Sequence, residues 1–283
     1  KNFFQTNKHL DIDELIKFYL VFDGLKTQKS YYDIFEAIDN EIIKNIDNVS
    51  KEFDDLSIEE RYALRNFAKN DRKWLKIYKM MPRSLAIKTY ENLFNKNILY
   101  IEKSREQPII KLYKNQKLKK CDRRYKIQDK IHFSTHFYRF WFRFIEPRLK
   151  QLKQGNVDGV LEYIKSHFDE YASLGFELIC CDYLRYKFDL KDEVVSSFWN
   201  KDLEIDILVN SNKNKIVGEA KYKNKKVCKN VLNILLNKCD RLDLKPNNIV
   251  LFSKSGFSTE LLNMKNDKLL LIDLDDISEI LYE

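Results

Sequence analysis

Apolar residues recur at helical spacing along the first fifty positions: Leu10, Leu15, Ile16, Tyr19 and Leu20, then Tyr32, Phe35, Ile38, Ile42, Ile43 and Ile46. This predicts a small all-helical segment over residues 1–50. Ser57, followed three residues on by Glu60, is a capping-box signature before Tyr62, Leu64 and Phe67, so a helix should start there. A short helix over Trp74–Lys79 comes next. Pro82 then stands at the entrance of a third, Arg83–Asn95, with Leu85, Ala86, Tyr90, Leu93 and Phe94 on its apolar side. Residues 98–101 and 109–113, separated by a polar tip, read as a two-stranded ribbon. Three helices and a hairpin are the layout of a winged helix-turn-helix, expected over residues 51–150.

The stretch Phe137-Tyr138-Arg139-Phe140-Trp141-Phe142-Arg143-Phe144 interleaves rings with arginines. Stacking platforms for single strands have this look, but so many rings cannot all face water, and packing at a core or domain junction is the expectation. Pro147 and the Gly155–Gly159 stretch place a boundary near residue 150. From Gly175 the pattern becomes a helix over 176–187, strands at 194–198, 203–209 and 215–222, a helix over 227–242 and a strand at 249–252. A shorter helix, a strand at 269–272 and a last helix end the sequence. The fold class is therefore α/β (α+β), with the second domain over residues 151–283.

Composition sharpens this picture. The 283 residues carry 51 Lys+Arg against 43 Asp+Glu, a net charge of +8, and 44% are hydrophobic, which excludes disorder and collagen-like structure. No apolar run reaches membrane-spanning length and no basic-then-apolar leader opens the sequence, so no membrane span and a cytoplasmic location are expected. The sequence opens on Lys1 rather than Met, as a processed or partial chain would. Five cysteines with no C-x-x-C spacing point to reduced thiols rather than disulfides or zinc. The charge is concentrated: residues 101–150 carry a net +10 and residues 201–250 a net +5, while the remainder is negative. Two basic zones suit a polyanion such as DNA, and equally a solvated lysine-rich surface. In a winged helix, Arg83, Ser84, Lys88 and Thr89 would be presented by the third helix and Lys103, Arg105, Lys111 and Lys114 by the wing. Lys117, Lys119, Lys120, Arg123 and Arg124 follow directly and extend the DNA-binding candidates; winged helices also serve as protein-interaction modules.

The candidate chemistry lies in the hairpin around Ser211–Asn214. If it is symmetric about Asn212 and Lys213, Asp206 lies directly opposite Glu219, and Glu204 opposite Lys221. Opposed carboxylates repel unless a divalent cation sits between them, and strand alternation puts Lys221 on the face of Glu219. Two acids and an amine at one point suit metal-assisted phosphodiester hydrolysis, with hard oxygen ligands favouring Mg²⁺ or Mn²⁺. A plain surface hairpin with a Glu204–Lys221 ion pair is the competing account.

Asp206, then Glu219-Ala220-Lys221 thirteen residues on, resembles the D…(D/E)-x-K signature of the restriction-endonuclease-like, PD-(D/E)xK, nuclease superfamily, and Glu177 matches its helical acidic residue. The order α-β-β-β-α-β is similar to the core of that superfamily. More closely, the run Phe140 to Pro147, Gly175-Phe176-Glu177, the Glu204–Asp206 and Gly218–Lys221 segments, and Phe252-Ser253-Lys254-Ser255-Gly256-Phe257 resemble the C-terminal region of archaeal-type ATPase-family proteins, a winged helix followed by a nuclease-like domain. The resemblance implies that Asp206, Glu219 and the Ala220 carbonyl bind the metal, that Lys221 is the catalytic lysine and that Glu177 is a supporting ligand. No G-x-x-x-x-G-K-[ST] loop occurs, so any ATPase would act in trans. A metal-dependent DNA nuclease is the leading expectation. A noncatalytic DNA-binding regulator and an interaction module for an ATPase are the alternatives.

Overall fold

The computed structural model describes residues 7, 9–25, 29–69, 72–111 and 113–281. Helix α1 (Ile12–Phe22) starts where the Asp11 carboxylate accepts the Glu14 N–H, and it buries Leu15, Ile16, Phe18, Leu20, Val21 and Phe22. Helix α2 (Ile58–Phe67) begins on the capping box of Ser57 and Glu60, with both reciprocal hydrogen bonds formed. A 3₁₀ turn over Trp74–Lys79 leads to α3 (Arg83–Asn95), whose N-cap is Pro82.

Strand β1 (Leu99–Glu102) departs from the expected ribbon. It pairs antiparallel with β2 (Lys130–Phe133), Leu99 opposite Phe133 and Glu102 opposite Lys130, and not with the described residues of the 109–113 stretch. Burial selects the partner. Ile109 and Ile110 are 50% and 83% exposed, whereas all four residues of β2 are buried and Ile131 and Phe133 join the core. Leu112 lies outside the described residues. The supposed wing is therefore part of a long crossover, residues 103–129, that carries the short helix Lys120–Arg124.

The aromatic run packs inward: Phe137, Phe140, Trp141, Phe142 and Phe144 are all buried. Phe53 stacks on Trp141 at 5.0 Å and meets Phe142 edge-on at 5.1 Å. Next comes α4 (Val157–Lys187), 31 residues long, capped by Asn156. It starts well before residue 176 and runs straight through Gly175. That glycine marks a close approach and not a break, because a Cβ there would stand 2.1 Å from Leu20 Cδ2 of α1.

Strands β3 (Ser196–Trp199), β4 (Glu204–Asn210), β5 (Lys215–Lys221), β6 (Asn248–Ser253) and β7 (Leu269–Ile272) form one mixed sheet in that order. The first three are antiparallel neighbours and β5–β6–β7 are parallel. Ile207, Val209, Ile216, Ala220 and Phe252 join the large core that includes α4, while Leu208, Val217 and Leu251 pack with Leu232 and Leu235 of α5 (Lys229–Arg241) on the other face. The large core is continuous from Leu10 to Ile277, so the helical segments and the sheet share one interior. Among the described residues no helix is long and apolar enough to cross a membrane.

Candidate active site around Asp206

The β4–β5 hairpin has the symmetric register, with Ile207 opposite Gly218 and Asn210 opposite Lys215. The ladder stops at Ile207. Between β3 and β4 the pairing shifts, from Ser196 with Leu208 to Phe198 with Ile205, which places an extra residue in β4 beside Asp206. Such a bulge re-aims a side chain. Asp206 Oδ2 consequently accepts the Ala220 N–H at 3.0 Å, taking the position of a ladder partner. On the opposite edge the Lys221 carbonyl accepts the Lys254 N–H of the β6 side, so strand alternation turns the Ala220 carbonyl toward Asp206.

Lys221 Nζ lies 2.6 Å from Glu219 Oε1 and 3.7 Å from Asp206 Oδ2. The two acids and the amine thus converge. Glu204 does not pair with Lys221; it binds Lys130 at 2.5 Å. A further group, absent from the expected site, is Lys238 of α5, whose Nζ is 2.8 Å from Glu219 Oε2. The sequence signal for it was a lysine set inside the apolar stripe of Leu232, Leu235 and Cys239, a place where its ammonium needs a partner.

Glu177, half-buried on α4, lines the same cleft as Asp206. Burial, followed by repulsion from Asp206, pushes its carboxyl up to about 8. Burial and then Glu219 push Asp206 up to about 6. Burial opposes the Lys221 ammonium, but Asp206 and Glu219 outweigh it and hold its pKa above the usual lysine value. Three carboxyls share the spot with two lysines, and a third negative charge there is held off by a proton on Glu177, the repulsion a divalent cation would relieve. Two carboxylates and one carbonyl are a hard-oxygen set that fits Mg²⁺ or Mn²⁺ with room for water. Glu219 would have to exchange Lys238 for the metal. Among the described residues no group of three or more His, Cys, Asp or Glu is arranged to hold a metal ion.

The DNA-binding candidates divide. Arg83, Ser84 and Lys88 are exposed on α3, as are Lys111, Lys114, Lys117, Lys119, Lys120, Arg123 and Arg124 on the crossover. Thr89 is 3% exposed with its hydroxyl toward Met81, because it falls on the inner face of α3 beside Tyr90. Arg105 is not on a wing tip: its Nη1 donates to the Leu208 carbonyl of β4 at 2.6 Å. Lys103 is exposed and paired with Asp129 at 2.8 Å.

Residues 141–231, the span that carries Glu177, Asp206, Glu219 and Lys221, match the family DUF234, described as archaea bacterial proteins of unknown function. The chain is also similar to an uncharacterized protein of Methanocaldococcus jannaschii, 28% identical over 139 residues, which is 46% of this chain and 29% of that relative. The chain thus spans less than a third of the length of the curated relative it matches, and no solved structure matches it.

Proposed function

We propose that this chain is a metal-dependent DNA nuclease of the PD-(D/E)xK type, with α3 and the basic crossover docking on DNA. The observation that carries this reading is the convergence of Asp206, Glu219 and Lys221 at the bulged end of the hairpin, with Glu177 beside them. A bound Mg²⁺ or Mn²⁺ supplies a water of lowered pKa and charge neutralisation at the phosphate. Asp206, Glu219 and the Ala220 carbonyl would hold it, and Glu177 would support it from α4. Lys221 donates to a phosphate oxygen as charge develops there. The exposed Arg83, Lys88 and crossover cations meet the backbone phosphates and make binding salt-dependent.

Incubation with plasmid and branched DNA in Mg²⁺ or Mn²⁺ tests this. Lys221→Ala is expected to lower the cleavage rate by about a hundredfold or more, with folding retained. Cleavage that survives the substitution would assign the chemistry to other residues. One contact favours a second reading. The Glu219–Lys238 pair occupies the carboxylate oxygen that Lys221 leaves open, which suits a noncatalytic DNA-binding protein or a module serving an ATPase in trans, in line with the resemblance to the C-terminal region of archaeal-type ATPase-family proteins. That reading expects DNA binding without cleavage by the unaltered protein.

A further inference from the structure

Asp206 and Glu177 open into a cleft of about 300 Å³ that is also lined by Ser196 and Ser197 of β3 and, from outside the sheet, by Tyr19 of α1, Arg72, and Tyr100 and His132 of the ribbon. Arg72 is built into the wall. It is 9% exposed, its carbonyl accepts the Ile131 N–H at 2.8 Å, and its Nη1 lies against the His132 ring, 2.7 Å from Nε2 and 3.1 Å from Nδ1. His132 Nε2 lies 2.7 Å from Glu102 Oε2, and Glu102 Oε1 accepts the Ser197 N–H and hydroxyl at 3.2 and 2.9 Å. The ring thus stands between the Arg72 guanidinium and the Glu102 carboxylate, at hydrogen-bond distance from both. The chain of hydrogen bonds fixes one arm of the guanidinium fork and presents the planar cation to the cleft that holds Glu177 and Asp206. A fixed fork of this kind matches phosphate geometry. At the rim, Tyr100 is 44% exposed and stacked on His132 at 5.1 Å, and Tyr19 is 46% exposed and edge-on to His136 at 5.0 Å. Exposed rings held in place by a second ring are stacking surfaces for bases.

We propose that this cleft is a nucleotide pocket. An unpaired DNA nucleotide, at an end or a flap, enters with its base against Tyr100 and its phosphate between Arg72 and the carboxylates, which places the adjoining phosphodiester at Asp206. The volume is at the lower limit of small-ligand pockets and takes a single nucleotide, not a duplex. This rests on the nuclease reading for its chemistry but not for its binding. On this proposal the helical segments form half of the site, and single-stranded ends are the preferred substrate over intact duplex.

The probe is a 12-nucleotide oligothymidylate with a 5′-phosphate and 2-aminopurine as its first base, titrated in EDTA so that cleavage plays no part. The full chain is expected to quench the 2-aminopurine and to prefer this probe over a blunt duplex of equal length. Tyr100→Leu, at an exposed position, is expected to abolish the quenching and weaken binding roughly tenfold, the size of one stacking contact. Arg72→Lys is expected to remove the preference for the 5′-phosphate over a 5′-hydroxyl. Quenching unchanged in Tyr100→Leu, or a blunt duplex bound as tightly as the probe, overturns the pocket. The companion assay separates the two readings. Nicking of closed-circular plasmid in Mn²⁺ without Tyr100-dependent quenching overturns the pocket and leaves the nuclease standing. Tyr100-dependent quenching without cleavage supports the pocket and removes the nuclease.

Discussion

On one side of Asp206, Glu219 is held by two lysines, Lys221 and Lys238, each a point charge on a four-carbon stem. On the other, Arg72, His132, Glu102 and Ser197 form a relay in which planar groups meet at fixed angles. The first cluster rearranges at little cost, since an ammonium has no preferred direction and its stem has many rotamers. In the second, each member leaves its neighbours unpaired if it is removed. Metal exchange belongs to the first kind of construction and the scaffolding of a cleft wall to the second.

The largest effect that separates them is on stability. His132→Leu leaves a buried guanidinium and a mostly buried carboxylate without the ring that joins them, and is expected to destabilise the fold by about 3 kcal/mol. The measurement is a urea midpoint with an unchanged slope. A loss no greater than that of a surface substitution would mean that Arg72 and Glu102 find each other directly, and the relay would lose its role in fixing the cleft.

The lysine cluster was far more legible in the sequence than the relay, for a physical reason. Turn chemistry at Ser211–Asn214 sets the β4–β5 register, and alternation does the rest, so Glu219 and Lys221 follow from local rules. The capping box at Ser57 and the bounds of α3 are local in the same way. The relay joins residues 60 positions apart for Arg72 and His132 and 95 apart for Glu102 and Ser197. It depends on β1 choosing β2 over the nearer residues 109–113, a choice made by burial of Ile131 and Phe133 that no neighbouring residue announces. The bulge at Asp206 is hidden similarly, since it arises from the pairing of β4 with β3 and not from the hairpin itself. Gly175 misleads in the opposite sense, as an apparent helix start that is a packing contact with Leu20 inside a continuous helix.

A second difference is in charge. The relay keeps its histidine neutral: burial and Arg72 depress His132 to about 4, while burial and Arg139 depress His136 to about 3. The folded state then binds fewer protons than the unfolded one below pH 6.5, and the histidines lose stability as the pH falls toward 4. The carboxylates run the other way. With Glu177 raised to about 8 from 4.5, the folded state holds a proton that the unfolded state has released, so stability falls as the pH rises across that interval. Glu177→Gln removes this penalty. The variant is expected to match the parent at pH 5 and exceed it at pH 8 by on the order of 1 kcal/mol. Parallel pH profiles for the two proteins would mean that Glu177 ionises freely and does not share the charge of Asp206.

The smallest expected effect tests the mobile cluster itself. In Lys238→Met, Glu219 retains Lys221 at 2.6 Å and the stem of Met covers the same apolar neighbours, so the stability change should stay under about 1 kcal/mol. Without the ammonium, Glu219 Oε2 no longer has a cation to exchange, and Mn²⁺ should bind several-fold more tightly by titration calorimetry at fixed pH. Weaker Mn²⁺ binding would show that Lys238 orients the Glu219 carboxylate for the metal and does not compete with it. Glu219 would then be held as firmly as Arg72, and the contrast between the two sides of Asp206 would disappear.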